Sequence, residues 1–297
     1  MAKNPKNPRI CFDRVLPTSY NPARTMAHRA ALSNYVTALQ AKTPGARIGP
    51  ARASFSQHAA ALGHVGELSA NDPVTVARMA LISLKKWDDL HTLRCKFLDG
   101  DSKQQEKVIQ KAKIWEQYAG VQIQFGDDAD AEVRISFQAD PGSWSAIGTD
   151  CLVTDYFPQY QPTMNFGWLT DDTEDDEYER VVVHEFGHAL GCIHEHQQPN
   201  ENLKWNKDAV YAAFSGPPNY WSKDDIDHNI LQKYSPEGIS ATRFDKKSIM
   251  LYQFDGSLFS DGVGTPLNKQ LSAQDKTMIA QMYPKSGGAS VPMEKIA

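Results

Sequence analysis

The stretch from His184 to His194 constrains this chain more than any other feature. In Val181-Val182-Val183-His184-Glu185-Phe186-Gly187-His188-Ala189-Leu190-Gly191-Cys192-Ile193-His194-Glu195, a helix places His184 and His188, four residues apart, on one face. Two imidazoles one turn apart can bind a single metal ion. Glu185 is rotated by about 100° from the first ligand, too far round for the same coordination shell yet near enough to reach a metal-bound water. A catalytic base needs that position. Gly191 falls where the helix must end, because glycine accepts the left-handed conformation and turns the chain so that His194 can swing back. Three neutral imidazoles with an open fourth position describe catalytic zinc. A lone histidine on a helix is usually a surface or hydrogen-bonded residue. Histidine, glutamate and glycine at His184, Glu185, His188, Gly191 and His194 together arise by accident in a chain of this size at about one in ten thousand.

The spacing His-Glu-x-x-His-x-x-Gly-x-x-His resembles the signature of the metzincin clan of zinc endopeptidases. That clan carries a methionine turn beneath the metal, and Ser248-Ile249-Met250-Leu251-Tyr252 matches it. Met250 alone would read as a core filler. Glu195 directly after the third histidine, and Tyr252 two places after the turn methionine, are similar to the astacin branch. Gly142-Ser143-Trp144-Ser145-Ala146-Ile147-Gly148 resembles the Gly-x-Trp-Ser segment of that branch, and Leu271-Ser272-Ala273-Gln274-Asp275 through Tyr283 resembles its closing helix. Ser272 and Asp275 independently form a capping box.

The resemblance implies an α+β fold: a twisted, mostly parallel sheet with an antiparallel edge strand, a backing helix and an active-site helix. An irregular C-terminal subdomain with the methionine turn and closing helix follows. It also implies His184, His188 and His194 as ligands of one catalytic zinc, with Glu185 and Tyr252 as catalytic residues. The tyrosine would ligate the resting metal and swing away to stabilise the oxyanion. Gly191, Met250 and Glu195 are then structural residues near the site.

Departures from the astacin pattern bear on activation. Where astacins follow the third histidine and glutamate with an Arg and an Asp-Arg-Asp run, this chain has His196-Gln197-Gln198-Pro199-Asn200. The usual cysteine framework is not evident. In secreted astacins the glutamate at the Glu195 position receives the new amino terminus, and no convincing cleavage point stands out here. The expectation is a divergent branch of bacterial or fungal type. For latency, Cys11-Phe12-Asp13 offers a thiolate or a carboxylate to the zinc. Phe97-Leu98-Asp99-Gly100-Asp101 resembles an aspartate switch superficially, but it lies on a strand and its turn, so a structural role is expected.

Texture divides the chain into residues 1–84, an N-terminal extension or prosegment with helical patterns at 25–42 and from about 74; residues 85–284, the catalytic domain; and 285–297, a flexible tail. Leu93 to Phe97 reads as a strand, followed by a helix burying Val108, Ala112, Trp115 and Ala119. Strands are expected at Val121 to Phe125, around Val133, Ile135 and Phe137 with one face buried, and at Thr163 to Trp168. The segment Thr149, Asp150, Cys151, Leu152 and Val153 is expected to form the exposed edge that binds substrate backbone as an added antiparallel strand.

Between Asp171 and Glu179 seven residues are acidic. A calcium loop is an alternative there, but the spacing lacks a regular calcium-liganding pattern, and acidic groups at a helix start interact well with its dipole. Cys11, Cys95, Cys151 and Cys192 are too sparse for a disulfide scaffold, so thiols are the default, with one or two bridges open. Cys192 is expected to pack rather than to ligate.

With 31 basic and 36 acidic residues and a formal charge of -5, the chain lacks the cationic field that nucleic acid requires. No apolar run approaches the roughly 18 residues that span a bilayer. No signal peptide is visible, which points to a cytoplasmic or non-classically secreted protein, whereas the family resemblance favours secretion. A monomer acting on peptide or protein substrate is expected. Zinc would bring a bound water toward neutral pKa while Glu185 takes its proton and passes it to the leaving amine. Two alternatives stay open: an inactive or latent zinc-binding protein-interaction module, and a zinc hydrolase of a non-peptide amide or ester.

Overall fold

A computed structural model describes residues 12–14, 85–139, 142–216, 219–234 and 243–285. The expected helical patterns at 25–42 and from about 74, and most of the 285–297 tail, lie outside the described residues, as does Cys11.

The strands β1 (Phe12–Arg14), β2 (Thr92–Phe97), β3 (Gln122–Phe125), β4 (Val133–Ser136), β5 (Ser143–Ala146) and β6 (Met164–Phe166) form one sheet. Its order is β1-β5-β6-β4-β2-β3. All neighbours pair in parallel except β5 and β6, which are antiparallel with Trp144 opposite Asn165. Two helices pack on the sheet layer: α1 (Ser102–Ala112) and α2 (Asp175–Ala189). The smaller elements α3 (Lys207–Phe214) and α4 (Lys223–Ile226) precede the closing helix α5 (Ala273–Met282). This is the α+β, mostly parallel architecture expected.

Local chemistry explains each boundary. Asp101 caps α1 by accepting the Lys103 and Gln104 amides, while the Gln104 side chain returns to the Asp101 amide. Asp99 accepts the Phe137 amide at 2.6 Å, so both carboxylates of the 97–101 segment have structural work, as expected. The α1 helix stops at Ala112, and the chain continues as a tighter turn from Trp115 to Gln117. Val108, Ala112, Trp115 and Ala119 are nevertheless all buried.

Strand β4 corrects the expectation of one buried face, because all four of its residues are buried. It lies in the middle of the sheet, and Arg134 is tolerated there because its guanidinium donates to the carbonyls of Ala131, Phe157 and Gln161. A buried cation needs that complete a set of acceptors.

A second correction concerns residues 149–153. They form no extended edge; Gly148–Leu152 is a 3-10 turn, with Thr149, Asp150 and Cys151 buried. Gly148 turns the chain at φ +51°, and a Cβ there would meet the Lys85 carbonyl oxygen at 1.9 Å. Asp150 points inward to pair with Lys85 at 2.8 Å, both side chains being almost fully buried. The alternating Thr149, Cys151 and Val153 imitate a strand, but a left-handed glycine and a buried ion pair override that pattern. The antiparallel strand is β5, and β1 runs parallel along its outer side.

The acidic run before α2 is knit to cations. Lys111 bonds Asp175 at 2.6 Å and Glu179 at 3.1 Å, and Lys269 pairs with Asp176. Asp175, Asp176 and Glu177 occupy the first turn of α2, where the helix dipole favours them. Cys95, Cys151 and Cys192 are buried and form no disulfide with one another.

Candidate metal centre

Helix α2 runs through the centre of the molecule, and every residue from Val181 to Ala189 is buried. Side chains from three other elements anchor its C-terminal half. The Trp115 indole donates to the Val183 carbonyl, the Trp87 indole to that of Ala189, and the Tyr283 hydroxyl to that of Leu190. Gly191 then stops the helix at φ +94°. Its amide donates to the His188 carbonyl and the Cys192 amide to that of Gly187, the paired bonds of a Schellman motif. This turn carries His194 back over the helix.

The outcome is convergence of three imidazoles. The Nε2 atoms of His184 and His188 are 3.1 Å apart, those of His188 and His194 3.0 Å, and those of His184 and His194 3.3 Å. Among the described residues these three form the group of histidine, cysteine or carboxylate side chains close enough to hold a metal.

Their tautomers follow from their other contacts. Nδ1 of His184 lies 2.8 Å from the Ile249 carbonyl, and Nδ1 of His188 lies 2.9 Å from that of Cys192. A carbonyl only accepts, so each Nδ1 carries the proton. Nδ1 of His194 faces Gln197 Oε1 at 3.4 Å; the Gln197 amide nitrogen is committed to the His228 and Gln232 carbonyls, which leaves the oxygen toward the histidine. All three Nε2 lone pairs therefore point into one space.

Lone pairs so close repel unless a cation lies between them. A tetrahedral zinc with Zn–N of about 2.0–2.1 Å separates its donors by about 3.3 Å, so the donor set fits zinc. Burial, followed by His188 and His194, pushes His184 well below the ordinary imidazole pKa, which keeps it neutral as a ligand must be.

Glu185 is fully buried next to His184 on the same helix. The turn Ser248 to Leu251 closes with the Leu251 amide donating to the Ser248 carbonyl. Its Met250 presses on Gly187, where a Cβ would meet the methionine sulfur at 2.5 Å. The Met250 carbonyl accepts the Glu195 amide, tying the turn to the residue after His194. Tyr252 stacks against the site, its ring 4.1 Å from that of His194 and 5.4 Å from that of His184. Glu195 Oε1 accepts from the Asp245 amide at 2.6 Å and from Gln198 at 2.9 Å, and burial raises its pKa to about 7. Burial likewise raises the Cys192 thiol pKa, so this side chain packs as a small hydrophobe.

Two participants escaped the sequence reading. Gln197 buttresses His194 from three residues downstream, a spacing that could have suggested it. Trp87 holds the helix end from far away in sequence, with no local signal.

No protein-family model matches the chain, and none of the curated proteins does. Solved structures do. One myroilysin structure is 40% identical, aligning over 69% of this chain and 98% of that one with a TM-score of 0.66. A second myroilysin structure, also 40% identical, aligns over 68% and 86% with a TM-score of 0.54. High choriolytic enzyme 1, a hatching enzyme zinc-protease from the medaka Oryzias latipes, aligns at 14% identity and a TM-score of 0.48, too loosely to bear on the argument.

Fold and site together define a zinc metalloendopeptidase of the metzincin type. The chain belongs to the family of myroilysin. No described helix is long and apolar enough to cross a membrane.

Proposed function

We propose that the chain hydrolyses internal peptide bonds, with Glu185 as general base and Tyr252 as oxyanion donor. The observation that carries this reading is the inward convergence of three Nε2 lone pairs beside a buried carboxylate on the same helix.

His184, His188 and His194 would hold the zinc, which when bound would acidify a water and polarise the scissile carbonyl. Glu185 accepts the water proton and returns it to the leaving amine. Its burial keeps competing solvent away. Tyr252, stacked on the ligands, donates its hydroxyl to the charge that develops on the carbonyl oxygen. Met250 and Gly191 set the ligand geometry, and Glu195 ties the 243–246 segment to it.

Substrate backbone is read by β5 rather than by residues 149–153, as a strand added antiparallel to it. The flank it would use is the one along which Phe12–Arg14 lies in parallel. We read residues 1–84 as a prosegment on this basis. A segment parallel to β5 runs opposite to the substrate direction, so it fills the groove with its peptide bonds presented in reverse. Cys11-Phe12-Asp13 supplies a thiol and a carboxylate as candidate donors for such latency. Secretion is the compartment that the family resemblance favours.

The test is metal analysis with a chelator-sensitive casein assay on the full-length chain and on chain trimmed of residues 1–84. The reading expects one zinc per chain, activity that rises on trimming, and Glu185→Ala that keeps zinc but loses cleavage. Zinc retention with no hydrolysis in any form would favour a protein-binding module. Cleavage of esters or small amides but not of casein would favour a non-peptide hydrolase.

A further inference from the structure

One buried hydrogen-bond chain leads from the closing helix to the metal site. Asp275 lies in the first turn of α5 and is 4% exposed. Its Oδ2 accepts the Ser272 amide at 2.9 Å and the Ile249 amide at 2.8 Å. Its Oδ1 accepts the Ser248 hydroxyl at 2.7 Å. That hydroxyl oxygen in turn accepts the Met250 amide at 3.0 Å. The same peptide unit ends in the Ile249 carbonyl, which accepts the His184 Nδ1 proton at 2.8 Å.

Every bond in this series points its hydrogen toward Asp275: from His184 to Ile249, from Met250 to Ser248, and from Ser248 to the carboxylate. Hydrogen bonds aligned head to tail polarise one another, more so in a dry interior. A carboxylate at the end withdraws the hydroxyl proton, enriches the Ser248 oxygen, polarises the 249–250 amide and makes its carbonyl a stronger acceptor. A stronger acceptor at Nδ1 makes Nε2 of His184 a better donor, as partners of metal-bound histidines generally do. Ser248, Ile249 and Met250 are each 2% exposed, so water does not short-circuit the series.

We propose that Asp275 and Ser248 are positioning residues that set the donor strength of His184 through the Ile249–Met250 peptide. The proposal rests on the zinc-peptidase reading above. Capping α5 does not require it, because the cap is complete with the Ser272 and Asp275 bonds alone. The Ser248 hydroxyl takes no part in that cap.

The experiment uses the full-length chain, Ser248→Ala, Ser248→Thr and Asp275→Asn. Zinc affinity is measured by competition with a chromophoric chelator, and the cobalt-loaded protein is read by its visible d–d absorption. Ser248→Ala should weaken zinc binding about tenfold, within the range known for partners of ligating histidines, and should shift the cobalt bands. Ser248→Thr, which keeps the hydroxyl, should restore both. Asp275→Asn should move both readouts in the same direction as Ser248→Ala, because its amide group cannot accept the serine proton at that position. Should Asp275→Asn fail to fold, the two serine variants decide the matter.

Zinc affinity within twofold of the parent in Ser248→Ala, or weaker affinity with unchanged cobalt bands, would overturn the relay and leave a simple structural anchor. Failure of the parent chain to bind zinc would instead refute the metallopeptidase reading itself.

Discussion

Substituting Gly187 by alanine sets two effects of known size against each other at the centre of the active-site helix. In a helix interior alanine is favoured over glycine by about 1 kcal/mol. The added methyl, however, would lie 2.5 Å from the Met250 sulfur and 3.2 Å from Trp115 Cζ2. Ordinary carbon contacts lie near 3.5–4.0 Å, so Met250 must retreat by about 1 Å. It has little room, being 2% exposed and borne on the turn that holds His184 and Glu195. Overpacking of this kind costs about 1–3 kcal/mol, so the larger effect wins and a net loss of about 1 kcal/mol is expected. Denaturant unfolding of the zinc-free protein measures it. Combining Gly187→Ala with Met250→Ala should recover the clash, giving a coupling energy of at least about 1 kcal/mol in the double-mutant cycle. If Gly187→Ala is as stable as the parent, or the two changes simply add, then Met250 does not press on the helix and the reasoning fails.

Glu185→Gln, which keeps shape and loses basicity, should lower kcat by about 10²–10⁴-fold while zinc content stays at one per chain, read by elemental analysis and a peptide assay. Gly191→Ala forces a methyl onto a residue at φ +94° and should destabilise the zinc-free protein by about 1–2 kcal/mol in a urea titration. Glu195 holds its proton more tightly when folded, with a pKa of about 7, than the ordinary glutamate value of 4.5. Its favourable share of stability is therefore full below about pH 4.5 and lost as pH rises through about 7. His184, shifted downward, contributes in the opposite sense as pH falls through 6.5, so the comparison must be with Glu195→Gln. The stability difference between parent and Glu195→Gln should move against the parent from pH 4.5 to 7; a flat difference would show that burial does not govern this carboxyl.

Much of the site was legible because its signals are local. The histidine pair His184 and His188 needs only helix periodicity, and the return of His194 needs only a glycine able to take positive φ. The capping boxes at Asp101 and Ser272 are likewise local chemistry written within four residues. The readings that failed concern neighbours. Val133, Ile135 and Phe137 alternate like a half-exposed strand, but β4 lies between two others and Arg134 finds its carbonyls in the 157–161 loop. The 149–153 segment alternates equally well, yet Lys85, more than sixty residues away, draws Asp150 inward and fixes a turn.

Residue order alone therefore determined the chemistry available: three imidazoles, a neighbouring carboxylate, and the backbone turns that let them meet. Tertiary packing decided what that chemistry faces. It set β5 with β1 along its flank, wedged Met250 against Gly187, and linked Asp275 to His184 through a turn. Side-chain period and capping arise within a few residues of chain, whereas strand neighbours and buried hydrogen-bond partners exist only once distant segments share one desolvated interior.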